Sequence, residues 1–303
     1  MRDAFIKLHL SILLAGCTGL FAKLISLHET EIVWFRMVLS SLMMLCIFGV
    51  PKVSKRKSFA SAAAGAMLAL HWMLFYCSIK ASNVCIGVLC FSLTGCWTAV
   101  IEPLAGHRKP SVMELLLSLL TVAGIGCMYF LSPDGDSGVG EGVDVKRGII
   151  IGTFSSLACA IYMVMSKKIS CGMRSRDFLQ CGMSGGLLLV SLLIPVYLMA
   201  FGLPIDTTLK MPTWTDFGWM LCHASFCTVL MYMLQLAALR KLSAFTVNLS
   251  YNLEPVYSII FAMLFFGEAA QLNYSFYIGL TLIILSVVLQ SVIVARKKKS
   301  IRV

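Results

Sequence analysis

The chain has 303 residues, 59% of them hydrophobic and 13% charged, with a net charge of +11 and a mean hydropathy of +0.88. A soluble domain is about a quarter charged, so the composition excludes one and points to an all-α integral membrane protein. The basic residues sit in short loops between apolar runs, where they set topology, and that distribution argues against nucleic acid as a partner.

Apolar runs predict ten transmembrane helices, at roughly 5–26, 31–50, 59–79, 83–104, 112–131, 148–168, 178–201, 216–238, 243–266 and 273–295. The first run contains Leu14-Ala15-Gly16-Cys17, which has the look of a lipoprotein cleavage site. Apolar sequence continues past Cys17 to Leu27, so the run is read as a span and no cleaved signal is expected. Lys23, near the outer end of this run, is expected to snorkel to the interface. Arg36 lies about one and a half turns into the second span, where it could bind an anionic substrate group or pair with a carboxylate.

The third run opens on small residues, Ala62, Gly65, Ala66 and Ala69, which suit close helix packing, as do Gly182 and Gly186 in the seventh. His71, Trp72 and Tyr76 follow in the third span. They either wall a pocket or fill the bundle. Glu102-Pro103 ends the fourth span beside Arg108 and Lys109 and reads by default as a solvated charge cluster. Ser132 to Gly148, rich in Gly and Asp and without periodicity, is a loop that splits the spans five and five. In the eighth span His223 is near the outer end, as an interface anchor would be, while Tyr232 and Gln235 are deeper and are pocket candidates.

The ninth run is the most informative stretch. Asn248, Tyr251, Asn252 and Pro255 fall on one helical face, and Glu254 stands at membrane depth. Pro255 lacks an N–H and clashes with the carbonyl of Tyr251 if the helix runs on through it. Such a break is tolerated only against protein or a wet cavity. An intramembrane carboxylate is a functional hypothesis by default. Glu254 therefore reads as a coupling or substrate-contacting group, against the alternative of a structural group paired with a buried donor.

Lys and Arg give the orientation. One side receives residues 2 and 7, the cluster at 52–57, Arg108 and Lys109, the cluster at 167–176, Arg240 and Lys241, and the basic tail. The other receives Lys80, Lys146, Arg147 and Lys210 with most of the loop carboxylates. The asymmetry places both termini in the cytoplasm, in a cytoplasmic (inner) membrane. A shift of 160 residues lays Trp72 on Tyr232, Lys80 on Arg240, Phe91 on Tyr251 and Leu93 on Leu253. Five spans per unit invert the second copy, so two inverted five-helix repeats are expected, 1–131 and 148–303, joined by an outer loop at 132–147.

The run from Asn248 to Ser286 resembles the drug/metabolite transporter superfamily, and within it the EamA-type family, through Pro255, Gly267-Glu268 and Gly279. Gly16 to Arg36 resembles the first-half pattern. The first half departs from the second, with Thr94 where Glu254 would fall and His107-Arg108 near where Gly267-Glu268 would fall. The resemblance implies export or exchange of small metabolites. The function expected is thus a secondary transporter of a small, amino-acid-like or related compound working by alternating access, with small-molecule substrate and membrane lipids as partners. A membrane-embedded enzyme acting on a lipid-linked substrate is the alternative. Against it stand the lack of a clustered Asp motif, of a His pair at metal spacing and of a Gly-rich phosphate loop. No catalytic residue, metal or cofactor is expected. The twelve cysteines, without a CxxC pair, read as small buried hydrophobes. Proton coupling and a homodimer are left open.

Overall fold

The computed structural model describes residues 2–106, 112–131, 144–202, 204, 209–242, 244–251, 253–267 and 274–300. Among them the regular structure is helical, with no strand. The helices are α1 (Arg2–Gly16), α2 (Thr18–Leu24), α3 (Glu29–Phe48), α4 (Lys55–Ala81), α5 (Val84–Phe91), α6 (Leu93–Leu104) and α7 (Val112–Phe130). Then come α8 (Val145–Ile169), α9 (Ser175–Phe201), α10 (Trp214–Ala224), a π-helical stretch (Ser225–Leu230) and α11 (Met231–Leu239). Last are α12 (Ala244–Tyr251), α13 (Glu254–Phe266) and α14 (Tyr274–Ser300). Among the described residues seven helical segments are long and apolar enough to cross a membrane, and Val256–Phe266 and Tyr274–Ser286 are shorter apolar helices.

Hydrocarbon leaves no solvent for backbone groups, so each helix end needs its own partner. His28 caps α3 reciprocally with Glu31, and Thr213 does the same for α10 with Asp216. Asn83 caps α5 and Asp144 caps α8 through the N–H groups of Ile86 and Arg147. Gly267, in the Gly-Glu pair of the second half, adopts φ +64° at the C-terminus of α13. That left-handed conformation is the one glycine supplies at least cost.

α4 is the axis of the packing, lying against both α8 and α9. α1 packs on α11 and α13, α3 on α9 and α10, α6 on α8, α5 on α13, and α7 on α14. The α4–α9 crossing is backbone to backbone: a Cβ on Gly65 would fall 1.8 Å from the Gly182 carbonyl oxygen, and one on Gly185 2.4 Å from Ala62. The small-residue spacings thus do what close helix packing requires. At the crossing of α7 and α14, a Cβ on Gly124 would sit 2.8 Å from the carbonyl of Gly279.

Four of the predicted spans are not continuous α-helices. The first divides at Cys17, the fourth at Ser92, the eighth carries the π stretch, and the ninth divides between Tyr251 and Glu254. The last is the break that Pro255 led the sequence reading to expect: Pro255 occupies the first turn of a new helix, where its missing N–H and fixed φ cost little.

Candidate functional site

The breaks converge on one internal cavity. α2 contributes Thr18, α3 Arg36, α4 His71 and Trp72, α8 Cys159 and Tyr162, α11 Tyr232 and Gln235, α12 Tyr251, and α13 Glu254. Ala15, Phe75, Phe91, Met163 and Met231 complete the wall. Its volume of about 30 Å³ admits water but no metabolite. Irregular backbone at this depth is tolerated because it is enclosed in protein.

Arg36 is 2% exposed and is held on four sides. Its Nε donates to Thr228 Oγ1 at 2.6 Å, Nη2 to the Cys227 carbonyl at 2.8 Å and Nη1 to Tyr76 Oη at 3.3 Å. The guanidinium carbon lies 3.5 Å from the centroid of the Trp72 ring, a buried cation–π contact. Thr228 and Cys227 both belong to the π stretch, whose wider winding releases carbonyls from the ordinary helical ladder. Thr228 also donates to the His223 carbonyl at 3.2 Å.

Behind Arg36, Tyr76 Oη and His223 Nε2 are 3.2 Å apart, and the His223 ring stacks on Phe21 at 4.7 Å. His223 is 1% exposed, so the reading of an interface anchor is corrected: it is a buried partner of Tyr76. Lys23 is exposed and lies over the Phe266 ring at 5.1 Å.

His71 is fastened to α8, its Nδ1 3.0 Å from the Ser155 carbonyl and 2.8 Å from Ser155 Oγ. Ser155 Oγ donates in turn to the His71 carbonyl. Trp72 Nε1 donates to Tyr232 Oη at 3.2 Å, and Tyr251 Oη donates to Ser11 Oγ at 3.0 Å. Among the residues of the wall, Gln235 Oε1 and Tyr162 Oη are buried without a hydrogen-bond partner. Glu254, 6% exposed, opens α13 and lines the cavity. Arg36 acts on its carboxylate through space. At the first turn of a helix a negative charge is also favoured by the backbone dipole.

Seven of the residues singled out from the sequence therefore line one cavity: Arg36, His71, Trp72, Tyr232, Gln235, Tyr251 and Glu254. Tyr76 stands directly behind it on Arg36. Asn252 lies outside the described residues, as do the side chains of Asn248 and Pro255. Sequence reasoning missed Thr18, Cys159 and Tyr162 in the wall and Thr228 and Cys227 around Arg36. Glu102 is a second correction. It is 2% exposed, and its Oε1 accepts from the N–H of Ala244 at 3.3 Å.

The fold and cavity define a multi-pass helical membrane protein with a polar, aromatic-walled chamber between its helices. Residues 146–292 match the model of the EamA-like transporter family. Over that stretch, just under half of the chain, the protein is similar to a family of membrane transporters of small solutes. A solved structure titled "Crystal structure of protein" superposes with a TM-score of 0.66 at 12% identity, over 98% of this chain and 99% of that one. At that identity the likeness is one of fold. No curated protein matches.

Proposed function

We propose that the protein is a secondary carrier of ten spans, arranged as two inverted five-helix repeats at 1–131 and 148–303 with a connecting loop at 132–147. It moves a small, amino-acid-like or related metabolite across the cytoplasmic membrane by alternating access, in efflux or exchange, with both termini in the cytoplasm. Arg36 takes the anionic group of the substrate. Trp72 and the tyrosines wall its apolar part, and Gln235 offers an open acceptor. Glu254 carries the coupled proton.

The observation that carries this reading is the closed chamber in which a buried guanidinium and a buried carboxylate stand without a direct bond between them. An ionised carboxylate unpaired at that depth costs several kcal/mol, so Glu254 is protonated or paired for part of the cycle. The helix neighbours support the repeat. Advancing each span by five turns the α4–α8 contact into α10/α11 against α1, and α5/α6 against α8 into α12/α13 against α1. The pairs α3–α9, α7–α14 and α5–α13 map onto themselves. The family match weighs for a carrier over an enzyme acting on lipid-linked substrates.

Glu254→Gln tests the coupling role. The amide imitates the protonated acid, so the variant is expected to fold and to exchange substrate in proteoliposomes. Uptake driven by a pH gradient should fall to background. Driven uptake that survives with an unchanged pH profile rules the role out. Loss of exchange, driven uptake and thermal stability together makes Glu254 structural.

A further inference from the structure

The turn between α11 and α12 is held from two sides by charged groups outside the cavity. Lys167, in the last turn of α8, donates from Nζ to the carbonyls of Leu239 and Leu242, each at 2.6 Å. Glu102, near the end of α6, accepts from the N–H of Ala244 at 3.3 Å. The Glu102 carboxylate also acts on the Lys167 ammonium through space. Arg240, on the same turn, donates to the Met173 carbonyl between α8 and α9. The carbonyls of Leu239 and Leu242 and the N–H of Ala244 are therefore satisfied by side chains of two other spans. An ammonium on two carbonyls and a carboxylate on an amide are charge-assisted bonds, stronger than neutral ones.

We propose that Lys167 and Glu102 form the latch of the cytoplasmic mouth, clasping the backbone of Leu239, Leu242 and Ala244 while the chamber is closed and releasing it when the mouth opens inward. The inference rests on the carrier reading above and on its topology, which puts this turn on the inner side. α11 carries Tyr232 and Gln235, and the segment beyond the turn carries Tyr251 and Glu254. Letting go of the turn frees both elements to swing from the chamber, which at about 30 Å³ must widen before a metabolite can pass. The opposite end of the eighth span has its own fastening. Asp216 accepts from the Ser26 N–H at 2.8 Å and from Ser26 Oγ at 2.9 Å, tying α10 to the end of the first span. With both ends tied the chamber is occluded. Untying only the inner end gives access from the cytoplasm alone.

Cys159 is a native reporter, since its buried thiol lines the chamber on the same helix as Lys167. The experiment applies a membrane-impermeant maleimide to vesicles of either orientation and reads modification of the Cys159 peptide by mass spectrometry. Lys167→Met should raise labelling from the cytoplasmic face at least about a hundredfold, since it deletes two charge-assisted bonds, and leave labelling from the outer face unchanged. Glu102→Gln keeps an acceptor oxygen and should raise it less. Lys167→Arg should restore protection. Inner labelling unchanged in both Lys167→Met and Glu102→Gln overturns the latch, as does an equal rise from both faces, which signals general loosening. A melting curve on each variant separates unfolding from opening. The carrier reading fails separately if wild-type Cys159 is reached from neither face in vesicles that also show no exchange. A wild-type Cys159 reached slowly from both faces but indifferent to residues 102 and 167 sinks the latch alone.

Discussion

A guanidinium buried to 2% exposure beside an aromatic ring and three oxygen acceptors is over-determined for a packing role. Three of its five N–H donors, one on each nitrogen, have a separate partner, and the face rests on Trp72. Lysine keeps the charge but offers a point donor without the plane. Arg36→Lys is therefore expected to lower transport at least about tenfold, the loss of one or more hydrogen bonds to a charged group, while protein yield stays the same. Initial rates in proteoliposomes, with yield from the same membranes, check this, and a normal rate would reduce Arg36 to a packing residue. Arg36 and Glu254 were legible because charges are improbable in an apolar run. Thr18, Thr228 and Tyr162 were not, since hydroxyl-bearing side chains are ordinary in spans. Glu102 and His223 misled for a related reason. Near a span end a polar residue looks solvated, and only the neighbouring helices reveal that the end is covered.

Element by element, the boundaries of the apolar runs match the helices to within a few residues, because a bilayer thickness and a run of hydrophobic side chains leave little freedom. What the runs did not show is where a helix stops and restarts. The break after Tyr251 announced itself through Pro255, but that at Ser92 has no proline, and the π stretch at 225–230 has no sequence signature. The pairing of α4 with α9 was better marked, by glycines and alanines four apart. There the expected test is steric. In Gly65→Val the added Cβ meets the Gly182 carbonyl at 1.8 Å, a contact that side-chain rotation cannot relieve. The helices must separate, at a cost of about 1–3 kcal/mol or more for an overpacked contact. Fluorescence-detected size exclusion in detergent should show a lower melting temperature and less monodisperse protein. Gly218→Ala, which meets nothing within 4 Å, should behave as wild type, and equal stability of the Gly65 variant would show that α4 and α9 do not approach as described.

For the whole molecule, the 160-residue shift has structural counterparts that argue for the repeat. Trp72 and Tyr232, superposed by the shift, bond to each other at 3.2 Å. Phe91 and Tyr251, also superposed, meet edge to face at 6.5 Å. Residues that correspond between two copies touch only near the axis relating the copies, so these pairs mark where such an axis would run, through the chamber. Two of the four helix interruptions obey the same shift, one following Phe91 and the other following Tyr251, while those at Cys17 and at the π stretch have no counterpart. If the copies are inverted, the axis lies in the membrane plane and each copy has an odd number of spans. The chain then crosses an even number of times in all, and the Gly- and Asp-rich connection at 132–147 faces away from the basic tail. Single labels at Ser137 and Ser300 decide this. An impermeant thiol reagent on intact cells should reach a cysteine at 137 without permeabilisation and one at 300 only after it. Labels reporting the same side would leave an even number of crossings between them, which five spans after the connection do not allow, and the inverted two-repeat carrier would have to be abandoned.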